Sequence, residues 1–432
     1  MKVAVVGAGS TYTPELVDGL LRRREPLGLD EIALVDPDEA RLAVIGPLAE
    51  RMVERAGGGV KVTDCGEVLV AGVEGARFVV SQIRVGGQAA RDADERLGRE
   101  FGLIGQETVG IGGLANALRT IPVAMAIAQT VADHAPDATL LNFTNPAGLV
   151  TEALCRHGPV PTIGLCNAPW GFKAALAETF ACRAEDIELD HVGLNHLGWV
   201  RGVTVAGEDR TSEAVAAWER RASRATADGR APYWTPDAIR LLAAIPNDYL
   251  LYYYETSAML AAQAQRPTRA SEVMAIEEAL MARYADPDLT EKPPELDRRG
   301  GAHYSEAAAA LMADIVADAG TVHVVDVPNR GAIPGLPDDV VVEVSARVGA
   351  AGVEPIPVAP LRADVDALVR TMKDVELLTV EAAVHGDEVA AQRALAAHPL
   401  GPGVNGAAEL WHRLRQVNAG LLGRLDPPVS SR

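Results

Sequence analysis

The sequence predicts an α/β protein with a doubly wound parallel sheet in its first half and a mixed, helix-rich α+β second half. Three observations carry this. Short apolar runs alternate with helical patterns through roughly the first 165–195 residues, as repeated strand–helix units require. The first run ends in a glycine turn and the second in an aspartate, the layout of a strand–turn–helix unit that binds a nucleotide. Beyond residue 166 paired strand-like runs are followed by long helical patterns, and the alternation stops.

The elements follow in order. Residues 2–6 (KVAVV) form a strand that stops at Gly7, and Leu16, Val17, Leu20 and Leu21 then recur at helical spacing. A second strand over 32–35 ends in Asp36, and a helix over 42–52 leads to strands over 60–62 and 78–81. Helices over 115–131 and 149–155 alternate with strands over 138–141 and 162–165. In the second half, strands over 187–192 and 199–205 precede helices over 212–222, 249–262, 270–285 and 305–318. Strands over 322–327 and 340–344 precede helices over 365–385, 388–397 and 407–421. Three prolines and eight charged residues over 286–299 mark an exposed loop.

Composition narrows the function classes. A chain of 432 residues, 48% apolar and 23% charged, is that of a globular protein with a real core. No run of about 18 uncharged apolar residues is present, and MKVAVVGAGS is too short in its apolar stretch for a signal peptide. Forty Lys and Arg against 59 Asp and Glu leave a net charge of −19, which repels phosphate backbones and argues against nucleic acid and membrane surfaces as partners. An anionic small substrate therefore needs a local cluster of Arg. The four cysteines are too few and too irregularly spaced for a disulfide scaffold or a metal knuckle, and they read as reduced, cytoplasmic thiols.

Gly7, Gly9 and Ser10 sit where the first strand turns into a helix, so bare N–H groups and the helix dipole can hold a diphosphate. Tyr12 replaces the third glycine of the usual fingerprint. Asp36 strengthens the reading, because an acid at the end of the second strand grips a ribose hydroxyl; with no Arg beside it, it favours NAD over NADP. The first domain is therefore drawn as a Rossmann-like NAD-binding unit over 1–190, and the second, over 191–432, as the domain for substrate, metal and oligomerisation.

Cys166, followed by Asn167, lies at the C-terminal end of a strand, the edge where open α/β sheets bind ligands, and His196 follows another strand. Thiolate and imidazole are metal ligands, and two of them leave coordination positions for substrate oxygens; their softness alone points to zinc or iron. Each read singly is better explained as a buried small hydrophobe and a satisfied core histidine. Asn145, before a proline, is biased toward an extended backbone that can aim its amide into a cleft. Tyr249, Tyr252, Tyr253 and Tyr254 cannot share one helix face, and Tyr249, at the start, is the best placed to line a site.

The segments GAGSTYTPELV, RFVVSQIRVGGQAAR, FGLIGQETVGIGG, LNFTNPAG, GLCN, GLNHLGW, NDYLLYYY, TRASEVM and AHPLGP, in order from residue 2 to about 403, resemble glycoside hydrolase family 4, and within it the 6-phospho-β-glucosidases. Asn167 after the cysteine resembles the β-glucosidase branch. The resemblance implies NAD and Mn2+ as cofactors, with Cys166 and His196 holding the metal. It implies oxidation of the sugar at C3 by NAD+, removal of the acidified C2 proton by Tyr249, elimination of the aglycone from C1, addition of water and return of hydride. That route stands outside the paired-carboxylate mechanism of most glycosidases. By motif match Tyr249 and Asn167 belong to the catalytic set, while Arg91, Asn145 and Arg269 contact the sugar. Gln106 and Glu107 match a motif near the metal. Dimers or tetramers of the same chain are implied as well. The chemistry requires cations near Tyr249 to favour its anion, against burial.

Two rivals remain at this stage. An NAD-dependent 2-hydroxy-acid dehydrogenase needs no metal and accumulates NADH. A non-enzymatic NAD-sensing regulator binds the dinucleotide without turnover, and the sequence offers it no DNA-binding motif.

Overall fold

The computed structural model describes residues 1–227, 233–299 and 304–426. Six strands come from the first half: β1 (Lys2–Val6), β2 (Glu31–Val35), β3 (Lys61–Asp64), β4 (Ala76–Ser81), β5 (Thr139–Asn142) and β6 (Thr162–Gly164). They run parallel in the order β3–β2–β1–β4–β5–β6. This is the doubly wound arrangement, with its switch point between β1 and β4. Val3, Val5, Ile32, Leu34, Phe78, Val79, Leu140 and Leu141 are fully buried. Such near-continuous apolar runs are what strands covered by helices on both faces require.

Seven strands follow: β7 (Ile187–Leu194), β8 (Leu197–Val205), β9 (Glu208–Asp209), β10 (Ile245–Pro246), β11 (Thr321–Pro328), β12 (Val341–Gly349) and β13 (Gly352–Pro355). They extend the same sheet. β11 lies antiparallel to β6, with Asp326 opposite Gly164, and the path continues through β12, β7, β8 and β10. Residue 190 lies inside β7, and the sheet runs on across it. The β7–β8 hairpin turns at Asn195 and His196, which places that turn beside the C-terminal end of β6.

The helix Gly110–His134 is long and apolar enough to cross a bilayer, yet most of it is buried within the fold. It packs on the helices Ala147–His157 and Ala363–His385. Arg119 within it meets Asp94 at 2.5 Å, both side chains 1% exposed, and Asn418 bonds to both. Removing one partner of such a pair costs about 3–5 kcal/mol, because a charge is then left buried alone.

Several elements differ from the sequence expectation. The helix Gly87–Glu100 was not anticipated, because its buried face carries Arg91, Asp94 and Glu95 rather than an apolar stripe. The helix Ala168–Phe180 was missed for want of a clear apolar face. The single helix expected over 249–262 is broken into a 3-10 turn, Asp248–Leu250, and the helices Leu251–Tyr254 and Thr256–Ala264. Asn247 caps Tyr249 N, and the Thr256 hydroxyl donates to the Tyr252 carbonyl at 2.7 Å. Such side-chain bonds to the backbone compete with a continuous helix. The helix expected to 421 is Gly403–Val417; it stops where Asn418 turns in to join Arg119. The stretch 286–299 is not wholly exposed: it ends in the 3-10 turn Pro294–Arg299, and Arg299 is buried.

Candidate active site

A cleft of about 1460 Å³ opens over the C-terminal ends of β1, β2 and β4–β6. Gly7, Gly9, Ser10, Asp36, Arg91, Asn145, Asn167, His196, Tyr249, Tyr252 and Arg269 all line it. Residues distant in sequence are thus gathered along one edge of the sheet.

The end of the cleft at the glycine turn is built from backbone. Gly7 N and Ala8 N bond to Val35 O at 2.9 and 3.0 Å, which ties the glycine turn to the end of β2. Gly7 has φ +88, and a Cβ on Gly9 would lie 2.9 Å from the Asp36 carboxylate, so neither position takes a side chain without strain. Asp36 Oδ2 accepts from Gly9 N at 2.8 Å and Oδ1 from Asp38 N at 2.9 Å, which fixes the carboxylate at the rim where a ribose diol is read. Ser10 Oγ accepts from Tyr12 N at 3.2 Å. Arg41, a cation that sequence reading did not place here, donates from Nε to the Gly9 carbonyl at 2.5 Å and lies 3.8 Å from Glu277.

At the other end, Cys166 Sγ and His196 Nε2 are 3.4 Å apart. Both side chains are buried, and His196 has φ 63. Two ligands of one divalent ion stand at such a separation. A thiolate and a neutral imidazole are donors that suit a divalent ion whose remaining positions go to oxygen ligands; among the described residues no cluster of three or more His, Cys, Asp or Glu is arranged for a metal. Burial pushes His196 down to about 4, against the pull of Glu343 and Glu107, which keeps the ring neutral and able to ligate. Burial also lifts the Cys166 thiol far above its ordinary range; taking up an ion displaces that proton.

Tyr249 lies with its ring stacked on His196, centroids 3.9 Å apart and planes 4° from parallel. Tyr252 is 6.0 Å from Tyr249 and also lines the cleft. Tyr253 instead stacks on His398, and Tyr254 meets Trp234 edge-on. Tyr249 lies in the 3-10 turn and the other three in the helix Leu251–Tyr254, where helical rotation points successive rings apart. Burial raises Tyr249, Glu107 and Tyr252 add to the effect, and Arg91 opposes it. Arg91 is thus a cation that favours the anion, as the chemistry asks, but burial outweighs it. Tyr252 is likewise pushed up by burial, to about 12.

Between the two ends, charged groups are locked in pairs. Arg91 Nε bonds to Glu95 at 2.7 Å and its Nη1 lies 3.3 Å from Glu107, which Arg84 meets at 2.5 Å. Burial alone would lift the Glu107 carboxyl, but Arg84 and Arg91 hold it down at about 2. Arg269 bonds to Glu272 and to the Arg299 carbonyl. Asn145 receives an amide bond from Asn116 at its carbonyl, and its loop is pinned by Asn142 and Thr144, with Thr144 N on Asn142 Oδ1 at 3.1 Å. Arg299, 4.0 Å over the Tyr12 ring and bonded to Glu277, was missed. It sits in the stretch read as an exposed loop, where charge density concealed one inward-facing residue.

Two family models match the chain: "Family 4 glycosyl hydrolase" over residues 2–182 and "Family 4 glycosyl hydrolase C-terminal domain" over 191–401. The 6-phospho-beta-glucosidase of Thermotoga maritima is 37% identical over 97% of this chain and 98% of its own. That of Escherichia coli is 37% identical over 90% and 88%. The Thermotoga maritima structure with NAD and glucose-6-phosphate superposes with TM-score 0.91 at 36% identity, covering 97% of this chain and 98% of that one. The form with manganese, NAD+ and glucose-6-phosphate gives 0.89 at 35%, with the same coverage.

Proposed function

The chain belongs to family 4 of the glycosyl hydrolases, and from that premise we propose that it hydrolyses 6-phospho-β-glucosides with NAD+ and a divalent ion, Mn2+. The observation that carries the reading is a single cleft lined at one end by the glycine–Asp36 loop and at the other by His196 with Tyr249 stacked on it, Cys166 lying buried 3.4 Å from His196 Nε2. When bound, the dinucleotide supplies a hydride acceptor for C3 and the ion a Lewis acid for the sugar's C2 and C3 oxygens, with a positive charge that favours the Tyr249 phenolate.

The chain's own groups do the rest. Gly7, Gly9 and Ser10 take the diphosphate and Asp36 the ribose, while Cys166 and His196 are the protein ligands of the ion. Tyr249 takes the C2 proton at its phenolic oxygen, and loss of that proton lets the aglycone leave C1 before water adds there. Asn167, next to Cys166 and lining the cleft, orients the sugar hydroxyls near the ion. Arg91, Asn145 and Arg269 grip the sugar and its phosphate, Arg91 being already held in place by Glu95 and Glu107. Charge-assisted contacts of this kind are each worth roughly 1.5–3 kcal/mol. The dehydrogenase and regulator readings give way to this one.

The division of labour follows the two halves. Residues 1–190 bind the dinucleotide, 191–432 complete the sugar side, and the metal pair takes one ligand from each. The four free cysteines accord with a cytoplasmic enzyme, which we read as a homodimer or homotetramer. The test is hydrolysis of p-nitrophenyl β-glucoside and its 6-phosphate side by side, with NAD+, Mn2+ and a reductant. The reading requires cleavage of the 6-phosphate and little of the plain glucoside; equal rates would remove phosphate from the recognition, and no cleavage of either would remove the activity.

A further inference from the structure

We propose that Thr108 and Gln106 are positioning residues that fix the tautomer of His196 and present its Nε2 lone pair to the metal. The inference rests on the reading that Cys166 and His196 hold the ion. Gln106 Oε1 accepts from two backbone amides, Thr108 N and Val109 N. An amide N–H is always a donor, so the Gln106 atom they share is the carbonyl oxygen, which donates nothing. The Thr108 hydroxyl, 2.9 Å from the same oxygen, can bond to it only by donating its one proton. Thr108 Oγ1 also lies 3.0 Å from His196 Nδ1. With its proton committed, it accepts, and Nδ1 carries the hydrogen. In a neutral ring that leaves Nε2 bare, 3.4 Å from Cys166 Sγ.

The relay is rigid as well as polarised. Gln106, Thr108 and His196 are all buried. A Cβ on Gly112 would lie 2.1 Å from the Gln106 backbone carbonyl oxygen, so that glycine lets the start of the helix Gly110–His134 close on the loop carrying both residues. Tyr249 covers the ring face at 3.9 Å. His196 is thus held by its plane, its backbone and its Nδ1 hydrogen at once. Fixing the far nitrogen of a metal-bound histidine typically alters metal affinity 10–100-fold.

The test reads the tautomer and the metal separately. In metal-free protein labelled with 15N-histidine, the His196 signals, assigned by their loss in His196→Gln, should show a protonated Nδ1 and an unprotonated Nε2. Thr108→Val should weaken Mn2+ binding, followed by the electron paramagnetic resonance of free Mn2+, by about 10–100-fold and leave NAD+ affinity unchanged. Thr108→Ser should restore it. A protonated Nε2 in the wild-type protein, or wild-type Mn2+ affinity in Thr108→Val, would overturn the proposal. Wild-type Mn2+ affinity in Cys166→Ser would instead overturn the metal reading beneath it, a failure the tautomer measurement tells apart.

Discussion

The two ends of the cleft are built by opposite means. At the end proposed to take the nucleotide, the groups on offer are backbone amides and one carboxylate, supplied within residues 7–36 and tied together by Gly9 N on Asp36. At the metal end, side chains from Thr108, Cys166, His196 and Tyr249 meet across more than a hundred residues of chain, and each depends on a different element. A site made of backbone is specified by the strand–turn–helix that forms it. A site made of converging side chains is specified by the whole sheet. Substitutions should therefore act locally at the first and cooperatively at the second.

Tyr249→Phe sharpens this contrast most. It should lower kcat by ~10²–10⁴-fold, the usual contribution of a positioned base, while NAD+ and Mn2+ titrations stay at wild-type affinity. A variant with wild-type kcat would move the base to Tyr252, which shares the cleft.

Glu107→Gln tests the locked charges between the two ends. The carboxyl sits at about 2 in the folded protein, below its value of ~4.5 when unfolded, so it contributes stability above pH ~4.5 that is lost as the pH falls through 2. The variant should be about 3 kcal/mol less stable at pH 7 in denaturant titrations, with the difference vanishing toward pH 2. His196 acts on the same limb of the curve. Its ring, at about 4 when folded against ~6.5 unfolded, binds fewer protons than the unfolded chain between those values, so stability falls as the pH is lowered from 6.5 to 4.

Asp36→Ala should weaken NAD+ binding by about 10–150-fold in calorimetric titration, the loss of roughly 1.5–3 kcal/mol from charged hydrogen bonds, and leave Mn2+ affinity intact. An equal loss of metal would break the separation of the two ends. The smallest effect should come from Tyr253→Phe. Its ring packs on His398 rather than in the cleft, and kcat should stay within about twofold, as for a residue outside the reacting geometry.

The same contrast explains what was legible in the sequence. β1, Gly7, β2 and Asp36 follow from a local pattern of apolar runs and turn residues, and the parallel order of six strands follows from their alternation with helices. The residues proposed to hold the metal and act as base came only from motif resemblance, because no periodicity brings Cys166 to His196. Arg299 and the helix Gly87–Glu100 stayed hidden for one physical reason: their inward faces are charged and paired, with Glu277 and with Glu95, Asp94 and Arg119. Hydrophobic spacing carries no trace of that burial. The broken helix after Asn247 depends on two side-chain bonds to the backbone, and the continuation of the sheet through β11 depends on a pairing across 162 residues of chain, between Gly164 and Asp326.

The central claim is that this cleft breaks a glycosidic bond by way of the C2 proton. Turnover of p-nitrophenyl β-glucoside 6-phosphate in D₂O, with the released sugar read by NMR, tests it directly. Removal of the C2 proton by Tyr249 should leave deuterium at C2 of glucose 6-phosphate. Product carrying only protium at C2 would contradict it, because direct displacement at C1 never touches that hydrogen.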